Sequence, residues 1–395
     1  MEMSELVTLL SHESLDLIDA VGPISSSDDA MKAVTRMRAA GHSPDLTAAV
    51  VTQARLRTRA EAKFGPFASR MLFTQAGLEQ ATRMPVAARH AQRFVAAGAR
   101  SVADLGCGIG ADALAFAGAG LRVLAVDADA VTAGITAHNL APFGDSVEVR
   151  HSLAEEVDLT GMDAAWLDPA RRTKGHSETK RVTAADYSPN LDWVFGLADG
   201  LPIGVKLGPA HDRDSLPENA ETQWVSVDGD VVELVVWTGT LARDGVRRAA
   251  LVVRGSGAHE LTAPADAIDE EPRELGAFVH EPDGAVIRAR LVGDVARSLQ
   301  AGPVADGIAY LTSDTPLTSP LVSSFRVREV LPADVKTLAK ALRGHDIGTL
   351  EIKKRGMDID PAVFRKKLNL KGSQAATLIL TRSGTKRVAI LADRV

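Results

Sequence analysis

Three glycines and two aspartates in the first third of the chain are spaced as a nucleoside-binding site requires. The segment Asp104-Leu-Gly-Cys-Gly-Ile-Gly110 follows an apolar strand predicted at 101–104 and precedes a helix of small apolar residues. A second predicted strand, 122–126, ends on Asp127. Glycines let the backbone turn sharply and approach a ligand, and an acid at the second strand's tip can accept both ribose hydroxyls. This order predicts the first βαβ unit of a doubly wound sheet.

The glycine spacing separates the ligands that such a loop can bind. Dinucleotide-binding loops have the pattern G-x-G-x-x-G, whereas Gly106, Gly108 and Gly110 stand at every second position after Asp104. No Lys-Ser/Thr pair follows that would form a Walker-type phosphate loop. The pattern D-x-G-x-G-x-G resembles motif I of class I S-adenosylmethionine (SAM) methyltransferases, and Asp127 falls at their ribose-binding position. The resemblance implies SAM as the cofactor, with a dinucleotide as the alternative.

The predicted cofactor site includes residues at the ends of three strands. Asp104 is expected to organise the loop and to approach the methionine amino group of SAM, and Asp127 to bind its ribose. After the third predicted strand, 147–151, Ser152 and Leu153 stand where many relatives have an acid that contacts the adenine amine. The residues predicted to contact SAM are Asp104, Gly106, Cys107, Gly108, Gly110, Asp127, Ala128, Ser152 and Leu153.

The fourth predicted strand, 164–167, is followed by residues that can position a methyl acceptor. Amino-methyltransferases often have Asp/Asn-Pro-Pro-aromatic here, because an acid oxygen and the next carbonyl can align a planar amine while proline fixes φ. This chain keeps Asp168 and Pro169 but has Ala170 and Arg171 in the last two positions. The Arg171 guanidinium could stack on a base or bind phosphate. Asp168, Pro169 and Arg171 are the predicted catalytic residues; a helix cap or strand-ending turn is the other interpretation.

Three further residues of the same loop suit an anionic substrate or acid–base chemistry. Arg172 and Lys174 lie beside the predicted pocket, with a solvated, salt-bridged loop as the alternative. His176 could act as an acid or base, although solvent exposure alone would also explain it. The histidines of the chain are scattered without the spacing of metal ligands, so we predict no metal site.

Cysteine usage and hydropathy limit the possible chemistry. Cys107 is the only cysteine, which excludes an internal disulfide and a thiolate zinc cluster. Because it lies in the cofactor loop, covalent methylation at C5 of a pyrimidine is not expected, whereas transfer to nitrogen or oxygen stays open. No run of about 18 apolar residues and no basic signal region is present, so we expect a cytoplasmic protein without a membrane partner.

The net charge of −6 is unevenly distributed along the chain. Residues 326–395 contain sixteen Lys or Arg against seven Asp or Glu, and residues 46–100 contain nine against two, whereas 101–325 is acidic. An acidic core between basic segments is typical of a polyanion-binding enzyme, with solvated helix faces as the alternative. Two clusters in the tail are predicted to bind an RNA backbone: Lys353, Lys354, Arg355, Arg365, Lys366 and Lys367.

The pattern of elements predicts several segments. Residues 1–80 favour helices, and residues 81–260 alternate strands and helices before a hairpin that turns at Asp228-Gly229. Residues 326–395 follow the order β-α-β-α-β-β of a small independent module. The chain is therefore predicted to be an α/β protein with several parts.

The sequence resembles a bacterial family of SAM-dependent methyltransferases with a C-terminal THUMP-like domain. The resemblance rests on GLEQATRMPVAARHA, DLGCGIGAD, WLDPARR and the tail REVLP…LEIKKRG. It implies a Rossmann-like class I methyltransferase core with a seven-stranded, mostly parallel sheet at 81–260, after an N-terminal helical segment. It also implies a small ferredoxin-like segment at 279–325 and a THUMP-like domain at 326–395.

The resemblance and the charge pattern together predict an RNA methyltransferase. We expect methylation of tRNA or rRNA at a nitrogen, with the C-terminal basic module binding the RNA. Because an aromatic residue is absent at Arg171, a small-molecule methyltransferase whose added modules serve dimerisation or lid closure is the main alternative. A non-catalytic protein that binds SAM or RNA is the third hypothesis.

Overall fold

The structure is a computed structural model that describes residues 1–171 and 186–395. The chain divides into two compact units. The first comprises Met1–Leu207, Asp212–Ala220 and Val236–Ala242, and the second Gly208–His211, Glu221–Val235 and Arg243–Val395. Within the described residues, no helix has the length and apolar character needed to cross a membrane.

Six α-helices precede the first strand, in agreement with the N-terminal helical segment that the sequence predicted. Ser26 begins one of them with a capping box, in which its hydroxyl accepts from the Asp29 amide and the Asp29 carboxylate accepts from the Ser26 amide. Ser43 caps the next helix, whose first position is Pro44. The helices are α1 (Met3–Leu9), α2 (His12–Val21), α3 (Ser27–Ala39), α4 (Pro44–Phe64), α5 (Gln75–Gln80) and α6 (Met84–Ala96).

The rest of the first unit is built on parallel strands. Its strands are β1 (Ser101–Leu105), β2 (Arg122–Asp127), β3 (Val147–His151), β4 (Ala164–Leu167), β5 (Ala170–Arg171), β6 (Tyr187–Ser188) and β7 (Ile203–Leu207). Its helices are α7 (Ala111–Gly118), α8 (Ala130–Leu140) and α9 (Leu191–Gly196). Five strands lie in the order β7-β4-β1-β2-β3, and each neighbouring pair is parallel. The short strands β5 and β6 pair antiparallel with each other.

This strand order creates a crevice between the carboxyl ends of β1 and β4. From β1 the chain proceeds through β2 and β3 on one side of the sheet, and through β4 and β7 on the other. In open α/β sheets, ligands bind where the order reverses in this way. All five residues of β1 are buried, and every residue of α7 before Gly118 is buried as well. The glycine loop and Asp168 therefore stand on a rigid, closely packed base.

Four further strands follow along the chain and belong mainly to the second unit. They are β8 (Glu221–Val227), β9 (Asp230–Trp237), β10 (Arg248–Arg254) and β11 (Gly257–Ala263). The hairpin turn predicted at Asp228-Gly229 is confirmed, because both residues have positive φ, of 51° and 94°. Strand β10 pairs parallel with β8 and antiparallel with β11.

The predicted count of seven strands in the methyltransferase sheet is wrong, because the sheet has nine. Strand β11 extends beyond residue 260, where the predicted methyltransferase core ends. Its sequence, GAHELTA, contains few apolar residues, and none of its residues is buried. Such a strand lacks the hydrophobic alternation on which sequence-based prediction depends.

The second unit also contains a seven-stranded, mostly antiparallel sheet. Its strands are β12 (Phe278–Pro282), β13 (Gly302–Pro303), β14 (Leu311–Ser313), β15 (Val322–Pro332), β16 (Ile347–Lys354), β17 (Gln374–Ser383) and β18 (Lys386–Arg394). The helices are α10 (Gly284–Arg288), α11 (Val292–Ser298), α12 (Val335–Gly344) and α13 (Pro361–Leu368). The strand order is β13-β14-β12-β15-β18-β17-β16, in which only β16 and β17 are parallel.

The long strand β15 joins two segments that the sequence assigned separately. The expected ferredoxin-like segment, 279–325, contributes β12 and β14, and β12 pairs antiparallel with β15. The order β-α-β-α-β-β predicted for 326–395 is present, but its strands share one sheet with that segment. Helices α12 and α13 pack on this sheet through the buried side chains Leu338, Leu342, Phe364 and Leu368.

Candidate active site

The glycine loop after β1 is held by the backbone of β2. The amides of Gly106 and Cys107 both donate to the Val126 carbonyl oxygen, at 2.8 and 3.0 Å. Gly106, Gly108 and Gly110 have φ values of 87°, 55° and 84°, a region that side chains disfavour. The predicted need for glycine at these three positions therefore has a conformational cause.

Gly106 also brings this loop against the residue that follows β4. A Cβ atom placed on Gly106 would lie 3.1 Å from the backbone oxygen of Asp168. The Asp168 amide in turn donates to the Leu105 carbonyl oxygen at 3.4 Å. The loop predicted to bind the cofactor and the residue predicted to meet the acceptor are thus direct neighbours.

Asp127, at the end of β2, is oriented by two backbone amides. Gly108 donates to Oδ2 at 3.0 Å and Asp129 donates to Oδ1 at 2.9 Å. A carboxylate offers about four lone-pair sites, so these two bonds fix the group without using its capacity to accept from a diol. Burial raises the pKa of Asp127. This placement supports the ribose-binding role, which stays a prediction.

Asp104 is the most deeply buried acid of the site. Its side chain is 1 % exposed, and Oδ2 has no hydrogen-bond partner among the described residues. Burial raises its pKa well above the usual range, and the neighbouring carboxylates of Asp112 and Asp168 raise it further. A buried carboxylate in this position gains from a cationic ligand group, which agrees with the methionine amino group expected there.

Cys107 lies inside the loop with its thiol buried. Burial raises the pKa of this thiol well above the usual range, and Asp104 and Asp127 act in the same direction. Since the thiolate is the nucleophilic form of cysteine, Cys107 is a packing residue of the loop. This environment supports the expectation that the chain does not use covalent cysteine chemistry.

The remaining predicted cofactor residues lie beside Asp127. The Ser152 amide donates to the Asp127 carbonyl oxygen at 3.1 Å, and the Ser152 hydroxyl donates to the Leu153 carbonyl at 3.1 Å. The side chain of Leu153 is exposed, and the Ala128 carbonyl lies 3.2 Å from His151 Nε2. Contact of Ala128, Ser152 and Leu153 with adenine stays a prediction.

The Asp168 carboxylate forms an ion pair that the sequence analysis missed. Its Oδ2 lies 2.5 Å from Nζ of Lys206, the penultimate residue of β7. The Lys206 side chain is 12 % exposed and that of Asp168 is 35 % exposed. The sequence feature that could have pointed to Lys206 is its position as a single lysine inside the apolar strand Ile-Gly-Val-Lys-Leu. Pro169 follows Asp168 and leads into β5, where the backbone of Arg171 pairs with Tyr187.

Three residues named from the sequence cannot be placed on this site. Arg172, Lys174 and His176 lie outside the described residues. Their predicted contributions to substrate binding or proton transfer stay predictions.

Lys206 belongs to a chain of buried polar groups that reaches helix α6. Its ammonium donates to Thr82 Oγ1 at 3.1 Å, and the Thr82 hydroxyl donates to Asp112 Oδ2 at 2.8 Å. Nδ1 of His90 lies 2.8 Å from Asp112 Oδ1. Burial raises the pKa of Asp112, but the contacts with His90, Lys206 and Thr82 outweigh it and leave this pKa lowered.

Two of the predicted RNA-binding cations are engaged within the second unit. Nζ of Lys353 lies 2.7 Å from a Glu281 carboxylate oxygen and 3.3 Å from one of Glu351. The guanidinium of Arg355 lies 5.4 Å from the ring centre of Tyr310. These contacts stabilise the sheet and compete with any phosphate ligand.

Other cations of the same unit are exposed. Lys354, at the end of β16, is exposed, as are the three predicted cations on α13. Helix α12 has three more exposed cations, and Lys371, which follows α13, is exposed as well. We call the exposed cations of the two helices and their flank the helical basic surface: Lys336, Lys340, Arg343, Arg365, Lys366, Lys367 and Lys371.

Two features of the first unit indicate the class of protein: the order of its parallel strands and the glycine loop with its flanking acids. A five-stranded parallel arrangement with a glycine loop at the reversal point is typical of Rossmann-like, nucleoside-binding proteins. An acid before the loop and another at the end of β2 match the predicted methyltransferase type.

Comparisons with known proteins identify the family. Two relatives, from Mycobacterium tuberculosis strains CDC 1551 and H37Rv, are each named an uncharacterized S-adenosylmethionine-dependent methyltransferase. Each is 33 % identical to this chain over 343 residues, which cover 83 % of this chain and 91 % of the relative. The chain therefore belongs to the SAM-dependent methyltransferases, and the predictions of enzyme class and cofactor are confirmed.

Further similarities concern the fold and the two ends of the chain. The crystal structure of a candidate methyltransferase from Porphyromonas gingivalis W83 has a TM-score of 0.74 and 20 % identity, covering 100 % of this chain and 99 % of that one. Residues 322–394 match the THUMP domain-like family. Residues 2–60 match a domain of unknown function, DUF8688. The α/β fold with a C-terminal THUMP-like domain is therefore confirmed.

The residues around the glycine loop fit SAM. SAM supplies an electrophilic methyl group when bound. Asp104 offers a buried carboxylate for a cationic amino group, and Asp127 offers an oriented carboxylate for a diol. The close approach of Gly106 to Asp168 places the residue predicted to meet the methyl acceptor directly beside this loop.

Proposed function

We propose that the chain transfers a methyl group from SAM to RNA, either tRNA or rRNA, and that its THUMP-like domain holds the RNA backbone. The observation that carries this proposal is the helical basic surface. Seven exposed Lys or Arg side chains stand on α12, α13 and the adjoining residue 371, inside the segment that matches the THUMP domain-like family.

The composition of this surface favours contacts with phosphate. Lys and Arg bind the backbone of RNA without reading its sequence. Base stacking needs exposed aromatic rings, but Phe364, the aromatic residue of α13, is buried against the sheet. Recognition by backbone and shape is therefore the mode that this surface supports.

Asp168 and Pro169 are the residues proposed to meet the methyl acceptor. The Asp168 carboxylate, next to Gly106, can accept a hydrogen bond from an acceptor N–H and align its lone pair. It can also receive the proton that an amine releases after methylation. This geometry supports a nitrogen acceptor, as expected from the sequence.

Binding of labelled tRNA and rRNA fragments, measured by fluorescence anisotropy at several salt concentrations, tests the RNA proposal. Replacing Arg365, Lys366 and Lys367 together with Gln should weaken binding and reduce the slope of log K against log salt by about one per lost phosphate contact. Replacing the exposed Arg382, Lys386 and Arg387 with Gln is the matched control, and it should change the slope little. Absence of RNA binding by the wild-type chain at low salt would contradict the proposal.

A small-molecule acceptor is the second candidate. It is favoured by Ala170 and Arg171, which replace the proline and the aromatic residue that usually follow Asp168-Pro169. Transfer of label from SAM into a metabolite extract, with RNA unlabelled, would support it over the RNA proposal.

A further inference from the structure

We infer that Lys206 is a positioning residue of the active site, which holds the Asp168 carboxylate in place for the methyl acceptor. The inference rests on the acceptor role proposed for Asp168. Lys206 Nζ lies 2.5 Å from Asp168 Oδ2, and its side chain is 12 % exposed. A lysine buried to this extent needs charge and hydrogen-bond partners, because burial of an unpaired ammonium is unfavourable.

The sheet register sets the two side chains side by side. In the parallel pair of β4 and β7, Leu167 is opposite Val205. Asp168 directly follows the end of β4 and Lys206 follows Val205 within β7, so the two residues are neighbours at the carboxyl edge of the sheet. This is also the edge at which the glycine loop begins.

Lys206 is itself fixed from the other side. It donates to Thr82 Oγ1, whose single hydroxyl proton is directed to Asp112 Oδ2 at 2.8 Å. His90 holds the other oxygen of Asp112 and lies 4.4 Å, ring centre to ring centre, from Trp166 in β4. The ammonium therefore has one defined position, and through it the Asp168 carboxylate has one too.

Electrostatics gives Lys206 a second effect on Asp168. The charges of Asp112, Asp127 and Asp168 raise the pKa of Asp104, and the charge of Lys206 lowers it. Without Lys206, the Asp168 carboxylate would lose a paired cation while it still interacts with Asp104. Its ionised form, which accepts a hydrogen bond from the acceptor, would then be less favoured.

Lys63 and Arg83 also lie in this part of the first unit. Burial and, to a smaller extent, the charges of Arg83 and Lys206 lower the pKa of Lys63 to about 8. Lys63 donates to three carbonyl oxygens around the end of α5, at 2.7 to 2.8 Å. It is therefore a half-buried structural lysine, and Lys63→Met is a matched control for loss of Lys206.

The test is a pH titration of the Asp168 carboxyl group. It is monitored by NMR of protein labelled with ¹³C at the aspartate carboxyl carbons. The Asp168 signal is assigned by its loss in Asp168→Asn. In Lys206→Met the titration midpoint of Asp168 should rise by about one pH unit or more. In Lys206→Arg the midpoint should return most of the way to the wild-type value. Lys63→Met should leave the midpoint near the wild-type value. An unchanged midpoint in Lys206→Met would overturn the inference.

This readout does not require RNA, so it separates failure of the inference from failure of the RNA proposal. With whichever acceptor is labelled, Lys206→Met should lower kcat at least tenfold and move the acidic limb of the pH–rate profile upward, while SAM binds within threefold of wild type. If Lys206→Met does not fold, Thr82→Val removes the second contact of Lys206. It should shift the Asp168 midpoint in the same direction by a smaller amount, and no shift in this variant would equally overturn the inference.

Discussion

The buried carboxylate of Asp104, a predicted cofactor contact, contributes to the pH dependence of stability. Its pKa in the folded chain lies well above its ordinary value of 3.8, chiefly because of burial. Between these two values the unfolded chain has lost a proton that the folded chain retains. The free energy of unfolding therefore falls as the pH rises through this interval.

We predict that Asp104→Asn removes this part of the pH dependence. Denaturant titrations without SAM, repeated from pH 4 to pH 8, should show a smaller loss of stability with rising pH in the variant than in the wild type. SAM should bind the variant at least tenfold more weakly, because Asn cannot ionise to pair with the cationic amino group of SAM. The exposed Asp145→Asn should change neither quantity. Equal pH dependence in wild type and Asp104→Asn would contradict this account.

A second prediction at the same scale concerns Asp127. Loss of a hydrogen-bonded carboxylate at the ribose should weaken SAM binding by about 1.5–3 kcal/mol, so Asp127→Ala should raise the SAM Kd by at least tenfold. Asp129→Asn is the control, because Asp129 caps α8 through the Thr132 amide and Asn is an equally good cap. Isothermal titration calorimetry measures both constants. Similar Kd values for Asp127→Ala and wild type would show that Asp127 does not bind the ribose.

Single residues differ in how far the sequence reveals them. Asp104 and Asp127 belong to a local pattern whose spacing is tied to one βαβ unit, so the sequence alone is sufficient to predict them as cofactor contacts. The partnership of Asp168 with Lys206 depends on the pairing of β4 with β7, and the pairing of Asp112 with His90 depends on the packing of α6 on α7. Both are non-local contacts that leave no fixed spacing.

The glycine loop is the element on which the cofactor site most depends. We predict that Gly106→Ala destabilises the chain and abolishes SAM binding, because its φ of 87° is unfavourable for alanine. The new methyl group would also lie 3.1 Å from the Asp168 backbone oxygen. The strain should amount to about 1–3 kcal/mol, measured by chemical denaturation beside SAM titration.

Gly118, at the end of α7, provides the comparison for this substitution. A Cβ there would meet no atom within 4 Å, and alanine is the better helix former by up to about 1 kcal/mol. Gly118→Ala should therefore leave SAM binding unchanged and leave stability equal or slightly higher. Normal SAM binding by Gly106→Ala would contradict the importance given to this loop.

Strongly patterned elements were predicted well, and weakly patterned ones were not. The five parallel strands start at the predicted residues and end within one residue of the prediction, because each is a short apolar run bounded by turn residues. Strand β11 is exposed and polar, and β5 and β6 have two residues each. Such elements exist through pairing alone, and their sequences do not distinguish them from loops.

The arrangement of the second unit also shows that sequence patterns do not predict the pairing of distant strands. The sequence indicates that 326–395 forms a compact module, and the THUMP-like match at 322–394 agrees with that order of elements. The sequence does not indicate that β12 joins this sheet, because the pairing connects residues forty or more positions apart. The domain boundaries at residues 80, 260 and 325 accordingly stay predictions.

The charge distribution of the chain is the basis of the proposed RNA substrate. The basic tail and the acidic middle of the chain are evident from composition, but the exposed positions of the cations are not. Lys353 is paired with Glu281, whereas the cations on α12 and α13 are exposed. The proposal of RNA as a substrate therefore rests more on the helical basic surface than on the end of β16.

The most direct test of the central claim is transfer of a tritiated methyl group from SAM into total RNA. The RNA is taken from a strain that lacks this gene, and wild-type and Asp168→Ala proteins are compared after both are shown to bind SAM. We predict label in one discrete RNA class with the wild type and at least a hundredfold less with Asp168→Ala. Absence of label in RNA, despite SAM binding by the wild type, would contradict the account and indicate another acceptor.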